Sequence, residues 1–225
     1  MGRLHAHLIP DTTCKNGAPS GASFFEKERA ELKNWEAELP AGYREAFVID
    51  AKNDKKLLLW MNLIVIVVMA VFIAAGFAWL RPFEHFESFT IGAMIWFLAA
   101  MIVYVVLHEL VHGAAYKALT GQKLTFGLTL TVAFCGVPEI YVYRKASLIA
   151  VLAPFVVFTV VFLLALAILP GAWPKFLCLL LLGLHVGGCV GDLYNTALYL
   201  TRFCDPRTLT RDTGPIQTFY IPDDM

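Results

Sequence analysis

Residues 89–119 read FTIGAMIWFLAAMIVYVVLHELVHGAAYKAL. The first nineteen of them, 89–107, carry no charge. That is long enough to cross a bilayer as a helix, which takes about 20 apolar residues. The helical pattern continues through His108-Glu109-Leu110-Val111-His112 to Leu119. One stretch thus sets the fold class and marks where chemistry would lie. Three further runs resemble it in length: 57–80, broken only by Asn62; 146–169; and 176–200, with a single acid inside it, Asp192. The expected architecture is an all-α integral membrane protein of four transmembrane helices. Membrane β-barrels alternate apolar and polar residues over short strands, and these runs do not.

Composition agrees. Of 225 residues, 58% are hydrophobic and 16% charged, against roughly 25% charged in a soluble domain. Lys plus Arg is 18 and Asp plus Glu is 18, so disorder driven by net charge is excluded and there is no basic excess for nucleic acid. Five cysteines without a CxxC pair give no zinc-ribbon spacing. Lys and Arg number 9, 1, 4, 1 and 3 across the successive flanks and loops. By the positive-inside rule both termini face the cytoplasm. Residues 1–56 are polar, so the first span reads as an uncleaved anchor.

The domain organisation expected is a cytoplasmic N-terminal tail over 1–56, a four-span membrane domain over 57–200 and a cytoplasmic C-terminal tail over 201–225. Within the first tail, Ser23-Phe24-Phe25-Glu26 has capping-box form. It opens an amphipathic helix over 23–39 with Phe25, Leu32, Trp35 and Leu39 on its apolar side, stopped by Pro40-Ala41-Gly42. Between the second and third spans, 123–132 alternates with period two, placing Leu124, Phe126, Leu128, Leu130 and Val132 on one face. With 140–143 it makes a short β-hairpin at the cytoplasmic edge; an irregular loop is the alternative.

HExxH at 108–112 places two histidines one helical turn apart on one face. Their imidazoles can bind one zinc ion, and Glu109 can then act as general base on a zinc-bound water. About 0.007 such matches are expected by chance at this composition. Polar residues inside a membrane helix are costly and usually mark function. A catalytic zinc site takes three protein ligands and leaves one position open. Asp192 is the only acid in the other three spans. Counted from the basic residues that end their helices, His108, His112 and Asp192 lie about 14, 8 and 15 Å from the same interface at 1.5 Å per residue. Gly183, Gly187 and Gly191 form a small-residue face beside Asp192 that permits the close approach to the HExxH helix that shared coordination needs. His185, two turns before Asp192, reads as a ligand in its place, a transition-state donor or a core histidine. Asn195, one turn after Asp192, is a candidate to orient the aspartate or a substrate carbonyl. His5, His7 and His85 read as solvated, Glu139 as a loop acid, and Cys135 as an unreactive thiol.

An HExxH within a span, a β-like loop and an Asp on a later span resemble the site-2-type intramembrane zinc metalloproteases. A closer resemblance is to a bacterial group of zincin membrane peptidases. It rests on Leu107-His108-Glu109-Leu110-Val111-His112-Gly113, on Pro154, and on Gly191-Asp192-Leu193. The resemblance implies His108, His112 and Asp192 as zinc ligands, Glu109 as catalytic base, and a bacterial cytoplasmic membrane as the location. Site-2 proteases carry their Asp in an Asn-Pro-x-x-Pro-x-x-Asp-Gly type segment, whereas Asp192 here follows Gly188-Cys189-Val190-Gly191. The function expected is an intramembrane zinc metalloprotease acting on a membrane protein or peptide, held extended by the strand near 124–132. The rivals are a metal-ion transporter or sensor, a non-catalytic scaffold braced by zinc, and a haem site on His112 and His185.

Overall fold

A computed structural model of the chain describes Glu28, residues 33–82, Glu84, and residues 90–128 and 133–225. Three helices are long and apolar enough to cross a membrane: α1 (Lys55–Leu80), α2 (Ile91–Thr120) and α3 (Arg144–Ile168). A bent pair, α4 (Ala172–Gly188) and α5 (Val190–Thr201), makes a fourth if the two are counted as one span. Local chemistry sets the ends. The Asp54 side chain accepts from the amides of Lys56 and Leu57 to start α1, and Thr90 accepts from Ala93 to start α2. Gly121, at φ 69°, closes α2 in the left-handed region, where glycine has no Cβ to clash.

The last span differs from the continuous helix expected. It bends by 44° at Cys189. Gly187, Gly188 and Gly191 flank that point, and glycine is a poor helix former. A new helix therefore starts, and Asp192 falls in its first turn.

Strands are more extensive than the sequence pattern suggests. β1 (Trp35–Glu36), β2 (Tyr43–Asp50), β5 (Tyr141–Tyr143), β6 (Leu209–Asp212) and β7 (Ile216–Pro222) form an antiparallel sheet in the order β1-β5-β6-β7-β2. A separate ribbon pairs β3 (Thr125–Leu128) with β4 (Ala133–Gly136), Phe126 opposite Cys135. A hairpin does lie between the second and third long helices, but its return arm is 133–136. The 140–143 run instead joins the larger sheet, where Val142 faces Trp35 on one side and Thr210 on the other.

The expected helix over 23–39 does not extend through its final third. Trp35 and Glu36 are a strand edge on β5, and Trp35 packs beside Tyr116, Val137 and Ala146. Pairing satisfies the exposed edge of β5, which a helix there would leave open. Glu28 is helical; the rest of 23–32 lies outside the described residues. One apolar cluster in the bundle joins Tyr104, Phe158, Phe162 and Leu182; another joins the sheet to α5 through Phe219, Ile221, Tyr199 and Phe203.

Candidate metal centre

Helix α2 buries every fourth residue over its second half: Tyr104, His108, His112, Tyr116 and Thr120. A four-residue repeat stays close to one face of a 3.6-residue helix. This face turns into the bundle, while Val105, Val106, Leu107 and Leu110 face outward and are exposed. Asp192 meets it from α5. Its Oδ2 lies 3.3 Å from His108 Nε2 and its Oδ1 lies 3.4 Å from His112 Nε2. One ligand atom from each of the three residues falls within a 4.8 Å group.

These separations test whether zinc fits. Bonds of about 2.0–2.1 Å in a tetrahedron put ligand atoms about 3.3–3.4 Å apart. The donor set of two imidazoles and one carboxylate is also that of known zinc sites. Protonation of His112 fits as well. Its Nδ1 lies 2.9 Å from the Ala150 carbonyl, which can only accept. Nδ1 therefore carries a hydrogen, which leaves Nε2, the ring nitrogen facing Asp192, as the one available to a metal. The carbonyl is available because the residue four positions on is Pro154, inside α3, which has no N–H to close the helical bond.

Glu109 lies next to this face, partly buried, with a backbone hydrogen bond from Cys135 to its carboxylate. Both residues line a cavity of about 390 Å³ that reaches the three clustered side chains. Asn195 lines it too. Its Oδ1 is buried and makes no hydrogen bond, so its acceptor is free for a partner in the cavity.

His185 is fully buried and stands apart from Asp192's carboxylate, on the far side of His108. Its Nδ1 lies 3.0 Å from the Tyr104 hydroxyl, which is also 3.2 Å from His108 Nδ1. The small-residue face has a different partner from the one expected. A Cβ on Gly183 would meet Phe72 at 2.8 Å, and one on Gly187 would meet Val65 at 3.3 Å; both neighbours are on α1, not on the HExxH helix. Gly191 meets nothing within 4 Å. What brings Asp192 to α2 is the bend at Cys189.

Three cavity residues escape the sequence reading. Tyr104 and Tyr116 are one turn either side of the histidines, so the four-residue spacing was a usable signal. Asp212, on β6, was not signalled. It is 3% exposed and accepts from Tyr116 Oη and Gly214 N, each at 2.8 Å, and from Gln217 Nε2 at 3.2 Å. Burial pushes its carboxyl up to about 6 against the pull of those donors. Burial, with Asp212 and Glu109 nearby, also pushes the Cys135 thiol up to about 12, so it stays protonated and is no nucleophile. Glu139 is an exposed turn residue, while His5, His7 and His85 lie outside the described residues.

No curated protein and no solved structure matches the chain. A family described as "Putative zincin peptidase" matches residues 101–205, which take in Tyr104, the HExxH turn, Pro154, His185 and Asp192. Over those residues the chain is similar to that family of zincin peptidases.

Proposed function

We propose that this chain is an intramembrane zinc metallopeptidase that hydrolyses peptide bonds of membrane-associated substrates. The observation that carries the reading is the convergence of His108 Nε2, His112 Nε2 and the Asp192 carboxylate at 3.3 and 3.4 Å beside a cavity that also holds Glu109. His108, His112 and Asp192 would hold the ion. When bound, zinc supplies Lewis-acid polarisation of the scissile carbonyl and makes water acidic enough to attack at neutral pH. Glu109 accepts the proton of the attacking water on its carboxylate and returns it to the leaving nitrogen. The Cys135 amide holds that carboxylate towards the cavity. The Asn195 Oδ1 accepts from a substrate amide, which supplies its missing partner. The β3–β4 ribbon borders the cavity through Ala133, Phe134 and Cys135, and an extended peptide suits such a border.

The cavity also favours an enzyme over a scaffold, since a bracing site would be closed on all sides. Both chain ends face the cytoplasm on this reading. Support comes from the five-stranded sheet, which hydrogen-bonds strands preceding α1, between α2 and α3, and following α5. Segments on one side of a bilayer require an even number of crossings between them.

The test is detergent-purified protein and its Glu109→Gln variant, assayed for zinc content and for cleavage of a membrane-bound reporter peptide. About one zinc per chain is expected in both, with the variant slowed by roughly 10²–10⁴-fold. Cleavage by the variant at the wild-type rate would sink the mechanism.

A further inference from the structure

We propose that Tyr104 and His185 form a one-way hydrogen-bond relay that holds His108 in its metal-ligating tautomer; they are positioning residues of the zinc site. This rests on the metallopeptidase reading and deepens it. The direction of the relay follows from its buried end. His185 Nε2 lies 3.2 Å from the Phe155 carbonyl, which has no hydrogen to give. Nε2 therefore carries the hydrogen of the neutral imidazole, and the Thr159 hydroxyl, 3.1 Å away, is within reach of the same N–H. His185 Nδ1 is left with a lone pair. The Tyr104 hydroxyl donates to it across 3.0 Å, with the Cys189 thiol a weaker neighbour at 3.5 Å.

Tyr104 has then used its only hydrogen. Its oxygen can act towards His108 Nδ1, 3.2 Å away, only as an acceptor. His108 Nδ1 is thus the protonated nitrogen, and Nε2 offers its lone pair where Asp192 lies at 3.3 Å. The opposite direction would aim a lone pair of His185 at a carbonyl oxygen. It would also put the hydrogen of His108 on Nε2 and bar it from a metal.

The two histidines of the HExxH turn reach the same tautomer by separate routes. His112 is tied directly to the Ala150 carbonyl, and His108 indirectly to the Phe155 carbonyl. Both anchors belong to α3 and flank Pro154. With a hydrogen on each Nδ1, both Nε2 atoms and the carboxylate meet at one place that a cation can occupy. His108, His185 and Cys189 also approach one another closely enough to suggest a second metal group. The Tyr104 hydroxyl, bonded to both Nδ1 atoms, gives that group its hydrogen-bonding role instead.

The experiment measures zinc affinity by chelator competition on detergent-purified wild type, Tyr104→Phe, His185→Phe and the double variant. The visible spectrum of the cobalt-loaded forms is recorded alongside. Tyr104→Phe removes one oxygen from a well-packed ring, so it tests the relay with little risk to folding. Expected are a 10–100-fold loss of affinity in each single variant, an altered cobalt spectrum, and no further loss in the double variant. Wild-type affinity and spectrum in Tyr104→Phe, or single losses that simply multiply in the double variant, overturn the relay and leave the metallopeptidase reading standing. A wild type that binds no zinc under metal-replete conditions overturns that reading, and the relay with it.

Discussion

Helices α1 and α2 are of similar length and both apolar enough to cross a membrane, yet they are used in opposite ways. In α1 only Gly76 is buried; Leu59, Ile66, Val67 and Val71 lie on its surface, more than half exposed. In α2 the buried face is polar, with two tyrosines, two histidines and a threonine. Lipid rewards an outward Ile or Val as well as a protein core does, so α1 needs its bundle mates only for close packing. A hydroxyl or imidazole at the same depth has no water to bond and must find a protein partner. The polar face of α2 finds those partners on α3, α4, α5 and β6. The difference teaches where to read function in such a chain: in which polar groups a helix must turn inward, not in how apolar it is.

Three further measurements probe this contrast. The largest effect on stability belongs to the lower end of the α2 face, where Tyr116 donates to buried Asp212. Its folded pKa of about 6 lies above the ordinary carboxyl value of 3.8. A raised acid contributes stability that is complete below the unfolded pKa and lost as pH rises through the folded one. Thermal unfolding in detergent should therefore show the wild type weakening between about pH 4 and pH 6, by on the order of 3 kcal/mol at most. The Asp212→Asn variant should show a flatter profile there, and identical slopes would remove Asp212 from the account.

Next comes the α1 side. Gly183→Ala puts a methyl group 2.8 Å from Phe72 Cβ and Cγ, atoms too near the backbone to swing away. It should cost about 1–3 kcal/mol through overpacking. Gly191→Ala, with open space around it, should be neutral or stabilising by about 0.5–1 kcal/mol because alanine is the better helix former. Equal melting temperatures for the two variants would show that α1 and α4 do not depend on close approach.

The smallest effect separates folding from function. Pro154→Ala returns an N–H to α3 that competes with His112 Nδ1 for the Ala150 carbonyl. Zinc affinity should fall about tenfold while thermal stability holds or rises. Affinity unchanged with raised stability would mean that the carbonyl serves His112 without help from the proline.

The meeting of His108, His112 and Asp192 was legible in the sequence. The His108/His112 spacing predicts a shared face, and depth counting puts Asp192 at their level; the structure brings the three together. The wrong partner for Gly183 and Gly187 has a clear cause. A small-residue face states that some backbone comes close, and nothing in its spacing says whose. The strands β2 and β7 were hidden for another reason. Tyr43–Asp50 and Ile216–Pro222 mix polar and apolar residues over short spans, and what makes them strands is each other. Trp35 illustrates the same point in reverse, since helical spacing yields there to an open edge on β5.

Sequence alone suffices for the helices long and apolar enough to cross a membrane, for the histidine pair on one turn and for the depth of Asp192. These follow from hydrophobic run length and helical period, which are local quantities. The bend at Cys189, the return of Asp212 to the cavity, and the α3 carbonyls that orient His112 and, through Tyr104 and His185, His108 come from the folded arrangement. Each depends on which groups meet across distant segments, and a hydrogen bond's direction is set by the partner, which no local pattern contains.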